Sequence, residues 1–342
     1  MRGLAWFGLA AMLPLAASPV ALAQDFYAGK SITMLVGSAP GGGYDVNSRL
    51  IARHWPNYIP GKPSIIIRNM PAAGSLVAMN ALANASPTDG TTIAAVQNHI
   101  GIEPVMGLTG RHDNAKYDGR AVNWIGSAAK EVPVVVAWHT SGFNEFADLQ
   151  KREILVGSPG VATSSSVYAN VLNQLAGTKF KIITGYVDVS TLNLAMESNE
   201  IQGRAGWYVS SLLSTKRQWV EQGLVKVLVQ MGDEKHPAFP NVPLASEFVA
   251  DPEKRAQLAF STSWLVMGRP FVAPAGVPAD RVKLLRESFL KPLADPALQP
   301  AAAKLGLEIG PRSGEEVQAL IARIYATPRE TIEAVRAVIV PK

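Results

Sequence analysis

Between residues 31 and 96, short β-branched runs alternate with stretches whose apolar side chains recur every three or four positions. Residues 32–36, 64–68 and 91–96 read as strands, and residues 46–54 and 76–83 as the helices between them. The alternation continues downstream, with strands predicted at 132–138, 154–156, 181–184, 225–231 and 264–267 and helices at 165–175, 192–198, 280–293 and 315–326. Strands separated by helices do not pair as hairpins, so this order predicts an α/β fold whose sheets are mostly parallel. Proline and glycine crowd residues 237–243 and 270–278, which places crossings between two domains near those segments.

The first predicted strand runs into Ser38-Ala39-Pro40-Gly41-Gly42-Gly43-Tyr44-Asp45, and a helix follows at once. Three consecutive glycines remove every Cβ where a ligand would approach the backbone, and the amides of a first helical turn have no intrahelical acceptor. The pattern suits an anion, with a plain flexible turn as the other reading. On the anion reading, Gly43→Val is expected to block backbone approach to the ligand and leave the fold intact. Asn69-Met70-Pro71-Ala72-Ala73-Gly74-Ser75 offers a second small-residue loop ahead of a helix. Residues 157–166 form a third, in which Thr163, Ser164, Ser165 and Ser166 add hydroxyls. One hydroxyl suffices to cap a helix, so four in a row leave others to face a ligand.

The chain has 342 residues, 48% of them hydrophobic and 17% charged, enough to fill two separate cores. It has no cysteine, which excludes disulfides, thiolate metal sites and a thiol nucleophile. The formal charge is +5, from 32 basic and 27 acidic side chains, and without a Lys/Arg stripe it does not point to nucleic acid. Arg2, an apolar run over residues 4–17 and the triplet Ala21-Leu22-Ala23 predict a secretory signal peptide over residues 1–23, cleaved before Gln24. Pro14 and Pro19 interrupt that run, and its apolar core is shorter than the roughly 20 residues a membrane span needs.

Together these features resemble the Bug family of solute-binding proteins, the receptors of tripartite tricarboxylate transporters. Pro40, Gly42, Gly43, Asp45 and the pair Ala52-Arg53 stand in step with that family's first motif. Residues 67–74 are similar to its Val-x-Asn-x-Pro-Gly-Ala-Gly segment, with Asn69 and Pro71 kept and Ala72-Ala73 in place of Gly-Ala. Residues 85–93 and 271–278 look like its Pro-x-Asp-Gly-x-Thr-Leu and Ala-Pro-x-Gly-x-Pro segments.

The resemblance implies a two-lobed, type II periplasmic binding protein that closes on a small organic carboxylate and delivers it to membrane permease subunits. It implies a monomer in the periplasm, with lobe 1 formed by residues 24–126 and 246–342 and lobe 2 by residues 127–245. One loop from each lobe would hold the carboxylate through amides, hydroxyls and water. Carried over by motif, Ser38, Gly42, Gly43, Tyr44 and Asp45 form the first jaw and Thr163, Ser164 and Ser165 the second, and Asn98 joins them just past a strand. Asp45 would cap its helix or meet a polar ligand group.

The second lobe departs from its relatives. Gly185-Tyr186-Val187-Asp188 keeps the family's tyrosine at Tyr186 but sets Asp188 where a glycine-like residue is usual. That carboxylate would repel an anion unless paired or turned away. Arg204 either pairs with Asp188, clamps a second carboxylate, or lies on the surface. Trp207 and Tyr208 either floor the cleft or belong to the buried core.

Other chemistry finds little support. Gly29-Lys30-Ser31 lacks the upstream glycine of a phosphate loop, and Gly37, Gly41, Gly42 and Gly43 do not space as a dinucleotide fingerprint. The histidines show no zinc spacing, and no G-x-S-x-G elbow occurs. No catalytic residue, cofactor or metal is therefore expected. Two alternatives stay open: a ligand-sensing receptor for a signalling partner, and an exported enzyme using Asp45, Asp188 or a histidine.

Overall fold

The computed structural model describes residues 26–108, 114–161 and 163–339. The expected signal peptide and Ala162 of the hydroxyl-rich loop lie outside them. In chain order the strands are β1 (Ser31–Val36), β2 (Ser64–Asn69), β3 (Thr92–Ala95), β4 (Asn123–Ser127), β5 (Pro133–Trp138), β6 (Ile154–Ser158), β7 (Phe180–Thr184), β8 (Gly203–Tyr208), β9 (Val225–Gln230), β10 (Pro270–Ala273) and β11 (Arg312–Ser313). The helices that bear on the site are α1 (Gly43–His54), α2 (Leu76–Ala85), α3 (Ser164–Ala176), α4 (Val189–Glu197), α5 (Val209–Glu221) and α6 (Ala279–Ala294).

One sheet has the order β11-β4-β10-β3-β1-β2 and the other β7-β6-β8-β5-β9. In the first, β1, β2, β3 and β4 run one way and β10 and β11 oppose them. In the second, β5 opposes β6, β7, β8 and β9. The reversed strands β10 and β5 sit inside their sheets, and each is the first strand after the chain arrives from the other sheet. Both sheets are thus mixed, the parallel part being what βαβ alternation predicts.

Period-two patterning explains how both faces are filled. Ile32, Met34 and Val36 of β1 pack with Trp55, Phe271 and Phe289, while Leu35 turns the other way toward Leu76, Met79 and Leu82 of α2. In β5, Val134 and Val136 face Trp207 and Leu212, whereas Val135 and Ala137 face Tyr168 and Leu172 of α3.

One sequence expectation fails here. Residues 264–267 belong to a 3₁₀ turn, Ser263–Met267, because a short buried apolar run has no periodicity to separate strand from helix. One crossing occupies the chain between Gln230 and Pro270, with the expected segments inside it and at its end, and the other follows Ser127, where no proline-glycine cluster marks it. Residues 237–243 stay with β9, where the Gln230 side chain donates to the carbonyls of Phe239 and Val242, each at 2.9 Å. The segment at 270–278 begins with β10 itself.

The two crossings run against each other. The Ala128 amide donates to Arg269 O at 3.0 Å, the Gly268 amide to Ala129 O at 2.9 Å, and the Glu131 amide to Leu265 O at 3.0 Å. Gly268 is needed for this approach, since a Cβ there would lie 2.7 Å from Glu131 N and 2.9 Å from Ala129 O.

Candidate ligand-binding site

A cleft of about 500 Å³ opens where helices from both sheets begin. On one side β1 delivers the chain to Ser38, Gly42, Gly43 and Tyr44, and α1 starts with Gly42 as its N-cap and no side-chain cap. On the other side β6 leads to Thr163, Ser164 and Ser165 at the start of α3. The Thr163 hydroxyl donates to Gly160 O at 2.8 Å and lies 2.9 Å from Ser158 Oγ, so it shapes the loop and leaves the helix uncapped. First-turn amides of α1 and α3 therefore lack side-chain acceptors at a shared opening.

Several expected residues line the cleft and several do not. Ser38, Gly42, Gly43, Tyr44, Thr163, Ser164, Ser165, Asp188, Arg204 and Trp207 all border it. Asp45 does not: it is 2% exposed, accepts from the Gly41 amide at 2.9 Å, Arg49 Nε at 2.8 Å and Asn69 Nδ2 at 2.8 Å, and so organises the first loop from behind. Asn98 lies deeper still, its Oδ1 accepting from the Tyr208 hydroxyl at 3.1 Å and its amide donating to Tyr44 Oη at 3.2 Å. Tyr186 points away, donating to Glu200 Oε1 at 2.6 Å on the outer side of α4.

Asp188 does not pair with Arg204. Its Oδ1 accepts the Thr191 amide at 2.9 Å and caps α4, whose Val189 and Ser190 also face the cleft. The anion place at this third helix N-terminus is thereby filled by the protein's own carboxylate. Arg204 is not a surface residue either, being only 3% exposed. Trp207 and Tyr208 fulfil both readings at once, buried in the core yet bordering the cleft.

Gly43 has a second reason beside the expected one. A Cβ on it would lie 2.8 Å from Ser211 Cβ and closer to the Ser211 hydroxyl, so the glycine is required by the approach of α5 to α1. Ser211 and Thr215 of α5 line the cleft and have no counterpart in the sequence reading, as does Gln97. Ala72, Ala73 and Gly74 line it too, from the loop noted before α2. That loop is strained, with φ of 149° at Ala72, 45° at Ala73, 59° at Gly74 and 77° at Ser75. It is held by the Ser75 hydroxyl, which donates to Gly37 O at 2.9 Å and accepts the Gln97 amide at 3.0 Å.

Electrostatics separate the supporting groups. Burial works against the charged form of Asp45, but hydrogen bonds from Arg49, Asn69 and the Gly41 amide outweigh it and hold the carboxyl below its ordinary range. A depressed folded value contributes stability that is complete above the unfolded value of about 3.9 and is lost as pH falls through the folded one. Asp45→Asn is accordingly expected to melt earlier than the parent at pH 7, with the gap narrowing below about pH 4 in thermal melts. His99 is pushed down to about 4 by burial and stays neutral at physiological pH. Burial raises Tyr44 and Tyr208 well above the ordinary phenol value, so both remain hydrogen-bond donors.

Against known proteins, residues 59–336 match the tripartite tricarboxylate transporter family receptor, TctC. The chain belongs to the TctC family. Its relatives include a UPF0065 protein in the gbd 5′ region of Cupriavidus necator, 26% identical over 311 residues that cover 87% of this chain and 85% of the relative. Among solved structures, the periplasmic binding protein BugD superposes with a TM-score of 0.71 at 19% identity, covering 91% of this chain and 98% of that one. MatC from Rhodopseudomonas palustris, solved with bound malate, gives 0.67 at 18% identity over 91% and 99% of the two chains. The fold of this TctC receptor is thus that of the two-lobed periplasmic binding proteins, and its cleft lies between the two sheets. No helix among its described residues is long and apolar enough to cross a membrane.

Proposed function

We propose that this TctC receptor is a non-catalytic solute-binding protein that captures a small organic carboxylate in the cleft and presents it to the permease subunits of a tripartite tricarboxylate transporter. The observation that carries this reading is the convergence of two uncapped helices, α1 and α3, on one opening, one reached from each sheet. A carboxylate there meets free amides from both sides and the positive ends of both helix dipoles, each contributing about 0.3–1 kcal/mol and up to about 2 in a partly buried setting. The Ser38 hydroxyl is buried, has no partner and borders the same space, so it adds a donor to the first jaw. MatC, similar in fold, holds malate, which agrees with a carboxylate as the cargo.

On this reading residues 24–126 and 246–342 form lobe 1 and residues 127–245 form lobe 2, the receptor works as a monomer in the periplasm, and residues 1–23 are removed on export. Thermal melts of the purified protein against mono-, di- and tricarboxylates test it. A ligand at about 100 times its dissociation constant adds roughly 2.7 kcal/mol of stability, a readily visible rise in melting temperature. A panel in which no carboxylate raises the melting temperature overturns the proposal.

A further inference from the structure

The floor of the cleft carries a cation that the carboxylate jaws do not require. Arg204 lies in β8, every residue of which is buried, yet it borders the cleft. Its Nη1 donates to Asn193 Oδ1 at 2.9 Å, its Nε has no partner, and its guanidinium carbon stands 3.8 Å from the ring centre of Trp207. The Trp207 indole N–H is likewise buried without an acceptor and borders the cleft. Among the described residues no carboxylate forms an ion pair with Arg204, Asp188 being engaged with α4. A buried guanidinium without a counter-charge is costly, and a buried indole N–H without an acceptor adds to that cost.

The backbone makes the pairing possible. In a regular strand, residues three apart point to opposite faces. Here β5 and β8 change register: Val134 faces Trp207 and Val136 faces Arg204, so two steps on β5 match three on β8. The extra residue is absorbed near Gly206, whose φ is +64° and where a Cβ would lie 2.6 Å from Ser164 C. The bulge therefore brings Arg204 and Trp207 to one face, while Gly206 itself lies against Ser164 in the first turn of α3, the second jaw.

We infer that Arg204 and the Trp207 indole N–H form a specificity-determining donor pair that receives a second anionic group of the ligand, so that this receptor selects dicarboxylates over monocarboxylates of the same length. The inference rests on the carboxylate reading and deepens it. The jaws supply neutral amides and hydroxyls that accept any carboxylate, whereas the floor supplies a charge that only a second anionic group neutralises. Arginine matches a carboxylate through parallel N–H donors, and with Trp207 capping one face of its plane and Asn193 holding Nη1, its orientation is fixed before the ligand arrives.

Titration calorimetry of the mature protein tests this with succinate, glutarate and adipate, each against the straight-chain monoacid of equal carbon number. For the best-fitting length the diacid is expected to bind about 10- to 100-fold more tightly than its monoacid. Arg204→Met, close in volume, should erase that gap by lowering diacid affinity far more than monoacid affinity, and Arg204→Lys should retain part of it. Trp207→Phe, which removes the N–H and keeps a ring, should narrow the gap in the same direction. Equal affinity for diacids and monoacids in the parent, or an equal loss for both in Arg204→Met, overturns the inference and leaves the carboxylate reading standing. Failure of the parent to bind any acid overturns both.

Discussion

Gly43→Val is expected to lower both the melting temperature and the ligand affinity, and Ser211→Gly in the same chain is expected to restore much of each. The cause is the meeting of α1 and α5. Gly43 is the first residue of α1, has no positive φ, and suits alanine or valine as far as its own backbone is concerned. What forbids a side chain is Ser211, whose Cβ stands 2.8 Å from the place a Gly43 Cβ would take, with Arg269 Nη2 at 3.2 Å. Overpacking of this kind typically costs 1–3 kcal/mol. If that strain falls on the arrangement in which both jaws reach one ligand, affinity drops by about 5- to 150-fold. Calorimetry and thermal melts on the single and double variants decide the matter. If Ser211→Gly restores stability without affinity, the glycine serves ligand approach rather than helix packing.

The second large effect concerns Glu131 and Arg269, which lock the crossings together. Arg269 Nε stands 2.5 Å from Glu131 Oε1, and both side chains are 1% exposed. The Ser210 hydroxyl reaches both carboxylate oxygens, at 2.7 and 2.8 Å, and Arg269 Nη2 donates to the Ser211 hydroxyl at 2.9 Å. The guanidinium also lies 4.1 Å from the ring centre of Tyr44, so the pair ties a crossing to α1 and α5 at once. Arg269→Met should destabilise the protein by about 3–5 kcal/mol, because it leaves a buried carboxylate without its counter-charge.

Glu131 supplies the control. Burial already pushes its carboxyl above the ordinary range, with Arg269 and Ser210 working against that push. A raised folded value means stability that is complete below the unfolded value, about 4.3, and lost as pH rises through the folded one. Removing Arg269 raises it further, so the damage in Arg269→Met should grow with pH, and the double variant Arg269→Met with Glu131→Gln should recover part of it. A loss in Arg269→Met that is independent of pH and unrelieved by Glu131→Gln would show that the pair is not the lock.

Much of the architecture was legible because local pattern and tertiary environment agree. All three loops noted in the sequence reach the cleft, since each joins a strand to a helix, and that junction places a loop at a strand's end by geometry alone. β8 was not legible as a strand from pattern: Gly203, Arg204 and Gly206 carry poor β propensity, and only its place inside a sheet overrides it. The reversed strands β5 and β10 follow from where the chain crosses, which no local signal encodes.

Within the site, single loops were legible and pairings were not. Residue type suits Asp45 to a cap or a ligand group, yet its partners Arg49 and Asn69 make it a brace for the first loop. Asn98 and Tyr208 meet across 110 positions, and Tyr44 reaches Gly268 across 224, separations at which sequence spacing carries no information. Arg204 was open among three roles because burial and the bulge at Gly206 decide its direction, and neither is written in residue type.

The paired crossings bear on how such a receptor is read from outside. Three backbone hydrogen bonds staple the segment after β4 to the segment before β10, and each is worth about 1 kcal/mol net. Sliding or shearing one lobe past the other would break that ladder, whereas turning about the line of the staples keeps it whole. On the proposed function the lobes would turn as two pages on one spine, and occupancy of the cleft would set a single angle. A permease resting across both outer edges would read that angle without touching the cargo.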